Sequence, residues 1–175
     1  NHIKTFITKH RDSYDLPSFD DFFEKLAKAS RYDSKEVVFV KKVLQGELPK
    51  ALRNKLSSQL FEQYLKIPEE VFSSELYMNR NHMQHMVSEG MHLGAHGHDH
   101  SWWDYQNEEG LSYQMKSSIE FLRGLGVDIK YLTACYPNGR FNEGVLNKMK
   151  EYDFKAGFTI EVATTNIKEF NTFTI

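Results

Sequence analysis

The chain reads as an α/β protein, mainly helical over residues 1–90 and alternating strand with helix over residues 91–175. Three observations predict this class. Capped stretches with apolar residues at helical spacing fill the chain as far as Gly90. Beyond it, short apolar runs at 93–95, 131–135 and 155–161 are separated by two longer amphipathic stretches. The first two runs each end in a sharp break, at 96–100 and 136–140. A βαβαβ rhythm implies a parallel sheet with helical crossovers. In such sheets, sites gather where strands end at their carboxyl edge.

Residues 1–10 fit helix and strand equally well. Pro17 and Ser18 then open a helix over residues 19–30, with Ser18 as N-cap and Asp21 at the third helical position. Phe22, Phe23, Leu26 and Ala29 form its apolar stripe. Asp33 is the expected cap of a second helix reaching Gly46, and Pro49 suits the first turn of a third, running to about Tyr64. Pro68 starts a short fourth, and Asn79 caps a fifth that ends at Glu89 against Gly90. The pair Asp20-Asp21 has the form of a catalytic carboxylate pair. No apolar strand precedes it and no glycine follows, so capping at the positive end of a helix explains it better. His82 and His85, beside Met83 and Met86, read as surface histidines of an amphipathic helix.

The run 93–95 reads as the end of a buried strand, with Gly94 and Gly97 permitting a tight turn at its tip. His96, His98 and His100 follow. His96 and His100 are four apart, so on one helical turn they would share a face. Two imidazoles so placed can chelate one divalent metal, at about 2.0–2.1 Å per Zn–N bond. A polar loop whose histidines meet water and backbone is the plainer alternative. Residues 108–125 read as a helix and 131–135 as a strand, broken by Tyr136-Pro137-Asn138-Gly139-Arg140, which by itself is an ordinary turn sequence. Asn142 caps a helix to about Tyr152, residues 155–161 form another strand, and residues 171–175 begin a last one.

The 175 residues, 40% hydrophobic and 26% charged, suffice for one soluble domain with a real core. A net charge of -2 gives no basic footprint for nucleic acid. No run approaches a membrane span, and no signal-peptide pattern stands at Asn1. Cys135 is the only cysteine, so no internal disulfide forms; a reducing, cytoplasmic location is expected. Asn1 stands where an initiator Met would, and 173–175 stop within an expected strand. A single, incomplete domain over residues 1–175 is therefore expected, in an oligomeric state the sequence leaves open.

Leu93-Gly94-Ala95-His96-Gly97-His98-Asp99-His100 resembles the second motif of the polysaccharide deacetylases, the NodB-like carbohydrate esterases. Tyr136-Pro137-Asn138-Gly139, followed by Asn142 and a helix, resembles their third motif, and residues 155–159 match the strand that follows in many members. The resemblance covers about residues 78–175, with a weaker echo through 37–65. It implies part of a distorted (β/α) barrel of the NodB type, behind a mostly helical N-terminal half. It also implies metal-dependent deacetylation of an N-acetylated sugar or polysaccharide in a surface-glycan pathway. His96 and His100 would be ligands of a divalent metal, with zinc the first candidate. The backbone N–H of Asn138 would stabilise the oxyanion, and Tyr136 and Pro137 would shape the substrate groove.

The departures from the family pattern are specific. Its first motif, a strand followed by two aspartates and a glycine, is not visible, nor is the late motif that carries the acid histidine. The arginine that usually opens the third motif is Cys135, and Arg140 does not match that position. The metal ligand and the base that aspartates would supply are therefore unassigned. A metallo-β-lactamase-like site would need His-x-His-x-Asp-His, and this chain is one residue short. A non-catalytic carbohydrate- or metal-binding fragment is the alternative, with Trp102, Trp103 and Tyr105 available to stack on sugar rings.

Overall fold

The structure, a computed structural model, describes residues 2–162, 164, 166, 168 and 171–175. They divide into two compact units, Asn1–Glu75 and Leu76–Ile175, each with its own buried apolar cluster.

The first unit is helical. Residues left ambiguous by pattern form α1 (His2–His10), which buries Phe6 and Ile7. α2 (Phe19–Leu26) starts at a full capping box: Ser18 Oγ accepts from the Asp21 N–H, and the Asp21 carboxylate accepts from the Ser18 N–H. Asp20 pairs with Lys4 at 3.3 Å. The capping reading of Asp20-Asp21 thus describes what these residues do locally. α2 ends at Leu26, its last buried residue, and not at Ser30 as expected. The Ser30 hydroxyl accepts instead from the N–H groups of Tyr32 and Asp33, a local bond that competes with helix continuation. Ser34, not Asp33, caps α3 (Lys35–Lys42), while Asp33 binds Lys41 at 2.6 Å. A π-turn over Val43–Glu47 prolongs α3 and buries Val43. Pro49 sits at the N-cap of α4 (Lys50–Leu65). α5 (Glu69–Leu76) packs Phe72 edge-on against Phe61.

The second unit holds the sheet. α6 (Arg80–Ser88) is capped by Asn79, whose own N–H is taken up by His82, and ends before Gly90 at φ +80°. His82 is thereby a capping residue. α7 (Glu108–Gly124) and α8 (Glu143–Glu151) separate β1 (Thr133–Cys135) from its neighbours along the chain; β1 pairs in parallel with β2 (Ala156–Phe158). Ala95 forms a parallel bridge to Ala134 on the other side of β1. Residue 175 bonds to both Gly157 and Thr159 beyond β2, the slanted pattern of a parallel neighbour. Consecutive segments therefore lie side by side in chain order, as around a barrel. Among the described residues the ladder does not close, so the expected barrel is present only as this parallel portion. The strands are shorter than pattern suggested. Residues 129–131 turn as a 3-10 helix before β1, and 171–174 form a turn where a strand was expected.

Leu111, Met115 and Leu122 of α7, Val145 and Met149 of α8, and Ala134 of β1 build this unit's core. Tyr136, 2% exposed, closes it, donating its hydroxyl to Phe173 O at 2.6 Å. A Cβ at Gly157 would collide with that hydroxyl, which accounts for glycine there.

Ser18→Ala should destabilise the first unit by about 1 kcal/mol, read from urea midpoints. Hydrogen bonds from Ser18 hold the Asp21 carboxyl below its ordinary pKa. A lowered folded-state pKa stabilises above the unfolded value, and that stabilisation disappears as pH falls through the folded one. The gap between the two midpoints should therefore be widest at neutral pH and narrow below the carboxylate range, where the bond from the Asp21 N–H to Ser18 Oγ remains.

Candidate active site

The bridge between Ala95 and Ala134 decides which loops meet. Ala95 donates to Thr133 O at 2.8 Å, and Cys135 donates to Ala95 O at 3.0 Å. Gly94 allows this approach, since a Cβ there would lie 2.7 Å from Thr133 Oγ1. The chain then leaves the ladder at His96, one step from where β1 ends at Cys135. His96 Nδ1 lies 2.8 Å from Cys135 O. A carbonyl only accepts, so Nδ1 carries the proton and the Nε2 lone pair remains available.

The helical turn expected over 96–100 does not form. Residues 98–99 are a bend, entered at Gly97 with φ +81° and left at His100 with φ +58°. The rings of His96 and His100 meet all the same, with centroids 4.8 Å apart at 65°. Burial, followed by the nearness of His96, lowers the pKa of His100, which favours the neutral imidazole a metal requires. His98 turns elsewhere, edge-on to Tyr113 at 5.2 Å.

Two supports of this loop escaped sequence reading. Gln114 of α7, 2% exposed, accepts through Oε1 from His98 N–H at 2.9 Å and Asp99 N–H at 3.3 Å. The signal available was a long polar residue on the largely apolar stripe of α7. The second support is an ion pair. Arg140 Nε donates to both Asp104 carboxylate oxygens, and Nη2 donates to Oδ2 at 2.7 Å. The Arg140 guanidinium carbon also stands 4.7 Å from the ring centres of Trp102 and Tyr105. No local pattern marks two residues 36 apart as partners.

Tyr136 and Pro137 were expected on the groove wall. Both are buried, Tyr136 in the core with its hydroxyl engaged, so they act beneath the surface. Burial raises the Tyr136 pKa to about 12. Over them Asn138 adopts φ +54° and Gly139 φ +66°. Among the described residues nothing accepts the Asn138 backbone N–H. The Asn138 side-chain amide and the indole N–H groups of Trp102 and Trp103 are buried without partners among these residues. Unpaired buried donors cost about 1–3 kcal/mol each. The two loops touch: a Cβ at Gly97 would lie 3.6 Å from Pro137 Cγ. Ligand sites are clefts of about 300–1,000 Å³, and an open one of about 770 Å³, walled by Leu93, Phe121 and Leu125, runs to His96 and His98.

A model of the polysaccharide deacetylase family matches residues 48–157, more than half of the chain. The chain belongs to the polysaccharide deacetylase family. The family reading of the two motifs is thereby confirmed at the level of the family and its NodB-like fold. Among solved structures, this deacetylase-family chain is similar to the Streptococcus pyogenes deacetylase PplD in complex with acetate, at 24% identity and a TM-score of 0.44. The match covers 47% of this chain and 36% of that one, so the chain spans well under half of that protein's length. No curated protein matches it.

The donor set suits a divalent cation in part. Two imidazoles face each other, one with its second nitrogen anchored to a carbonyl, the usual support of a metal-binding histidine. Among the described residues no group of three or more His, Cys, Asp or Glu side chains gathers around one point. Asp99 accepts from the Ser101 N–H, and Asp104 is held by Arg140.

Gly97→Ala should cost about 1–3 kcal/mol, because its φ is positive and the new Cβ would press on Trp103 Nε1 and Gln114 Oε1. Thermal denaturation checks it, and Gly110→Ala, at a glycine without positive φ, is the control.

Proposed function

We propose that this protein takes part in metal-dependent hydrolysis of the acetamide of an N-acetylated sugar, with His96 and His100 as two of the metal ligands. The observation that carries the proposal is the facing pair of imidazoles at 4.8 Å, at the carboxyl edge of the parallel ladder and bonded to the residue that opens the third-motif loop. A divalent cation, zinc first among candidates, would polarise the acetyl oxygen and lower the pKa of a water. The Cys135 carbonyl fixes the His96 tautomer and so its ligating nitrogen. The Asn138 N–H, at positive φ and without an acceptor among the described residues, would donate to the oxyanion as it forms. Buried Tyr136 and Pro137 hold that N–H in place.

Among the described residues no carboxylate joins the His96–His100 pair as third ligand or general base. The 175-residue chain alone should therefore be slow, since lacking an acid–base partner costs about 10²–10⁴-fold. Acetate release from chitooligosaccharides is the test, run on this chain and on a form extended to include an aspartate pair, each with and without chelator. The extended form should release acetate and the chelator should abolish it. A second reading, a carbohydrate-binding module, draws on Tyr105, 59% exposed beside Trp102 at the same edge. Glycan binding without acetate release in the presence of metal would favour that reading.

The metal itself is checked by zinc analysis. The wild-type chain should take up zinc, and the His96→Ala/His100→Ala variant should not. Equal content in the two would remove these residues as ligands.

A further inference from the structure

We infer that Gln114 is a positioning residue for the His96–His100 pair: its buried side-chain oxygen holds the middle of the loop and so sets the distance between the rings. The inference rests on the metal reading above for its purpose, and on the geometry of α7 and the loop for its substance.

The α7 stripe that faces the core runs Leu111, Gln114, Met115, Ser118, Leu122. An amide in that company loses hydration, and the loss must be offset by hydrogen bonds. Gln114 finds them outside its own helix, where Oε1 accepts two consecutive backbone N–H groups, from His98 and Asp99. Both partners are donors, so the atom between them is the amide oxygen. These N–H groups lie midway between the two candidate ligands.

The loop has three anchors. His96 is tied to Cys135 O at its start, and Trp102 and Trp103 are buried just past its end. Gln114 supplies the anchor in between. His100 sits at φ +58°, a conformation unfavourable for a residue with a Cβ unless its surroundings impose it. The Asp99 carboxylate adds a local bond to the Ser101 N–H. With the Gln114 oxygen removed, two adjacent N–H groups lose their acceptor beneath the loop. The cheapest relief is for residues 97–100 to swing outward, and His100 would then move away from His96. Gly97 is part of the same device, since a Cβ there would stand 3.2 Å from Gln114 Oε1.

Three substitutions separate positioning from bulk. Gln114→Met keeps the volume and removes the acceptor. Gln114→Asn keeps the amide but withdraws it by one methylene. Gln114→Glu keeps an acceptor oxygen at the same reach. The first readout needs no metal: the nuclear Overhauser contact between the His96 and His100 rings, measured in the whole chain. It should be present in wild type and Gln114→Glu and lost in Gln114→Met and Gln114→Asn. The second is zinc affinity by competition with a chromophoric chelator. It should fall about 10–100-fold in Gln114→Met and Gln114→Asn and recover in Gln114→Glu. A purely structural role would lower melting temperature while leaving the ring contact intact in every folded variant. A ring contact that survives in folded Gln114→Met or Gln114→Asn overturns the inference. Loss of the contact in those variants with its return in Gln114→Glu supports it, even if the wild-type chain takes up no zinc; that last result would count against the metal reading alone.

Discussion

Ala95 and Ala134 face one another across a single parallel bridge, and the arrangement of both motif loops depends on that register. It brings His96 beside the end of β1, where the Cys135 carbonyl can accept from its ring. It also places Gly97 against Pro137, so that the histidine loop and the Asn138 loop share one edge. Side chains alternate faces along a strand, so a slip of one residue would turn Ala95 and Ala134 out of the core and separate His96 from Cys135 O. Small residues at this crossing let the backbones approach: Gly94 against Thr133, and Ala95 and Ala134 both nearly fully buried.

Around this bridge the polar interactions are long in sequence and short in space. Arg140 and Asp104 tie the loop after β1 to the segment that follows the histidines. Gln114 reaches from the middle of α7 to the histidine loop itself. Lys148, 9% exposed, joins α8 to Glu108 at the start of α7 and to Glu151 on its own helix. Glu151 first, and then Glu108, bond to Lys148 and raise its pKa. The Arg140–Asp104 and Lys148–Glu108 pairs each join a segment before β1 to one after it.

Local chemistry explains what could be read from the sequence. Ser18, Asn79 and Asn142 announce helix starts through side chains that accept from a backbone N–H within one turn, and each cap is found where expected. The alternation of apolar runs with long amphipathic stretches gave the parallel order. The four-residue histidine spacing pointed to two rings that do meet, though not on the helical turn it implied. A helical turn would have needed negative φ throughout, whereas Gly97 and His100 are both positive. Tyr136 and Pro137 were placed on a surface because their motif belongs to a groove, but aromatic bulk at the end of a short strand is satisfied more fully in the core. The Arg140–Asp104 pair was not legible, and Gln114 showed only as a polar residue on the apolar stripe of α7, because their roles arise from long-range partners that periodicity does not encode.

Position 135 shows where the specification of this edge resides. The main chain of Cys135 has two duties, its N–H donating to Ala95 O and its carbonyl receiving His96. Its thiol is solvent-exposed and joins neither. Any residue but proline that adopts extended geometry could perform both duties, so the histidine anchor is insulated from side-chain drift at the site where the family pattern has arginine. The scaffold can thus exchange the chemistry that this position projects into solvent while the His96 anchor beneath it stays fixed.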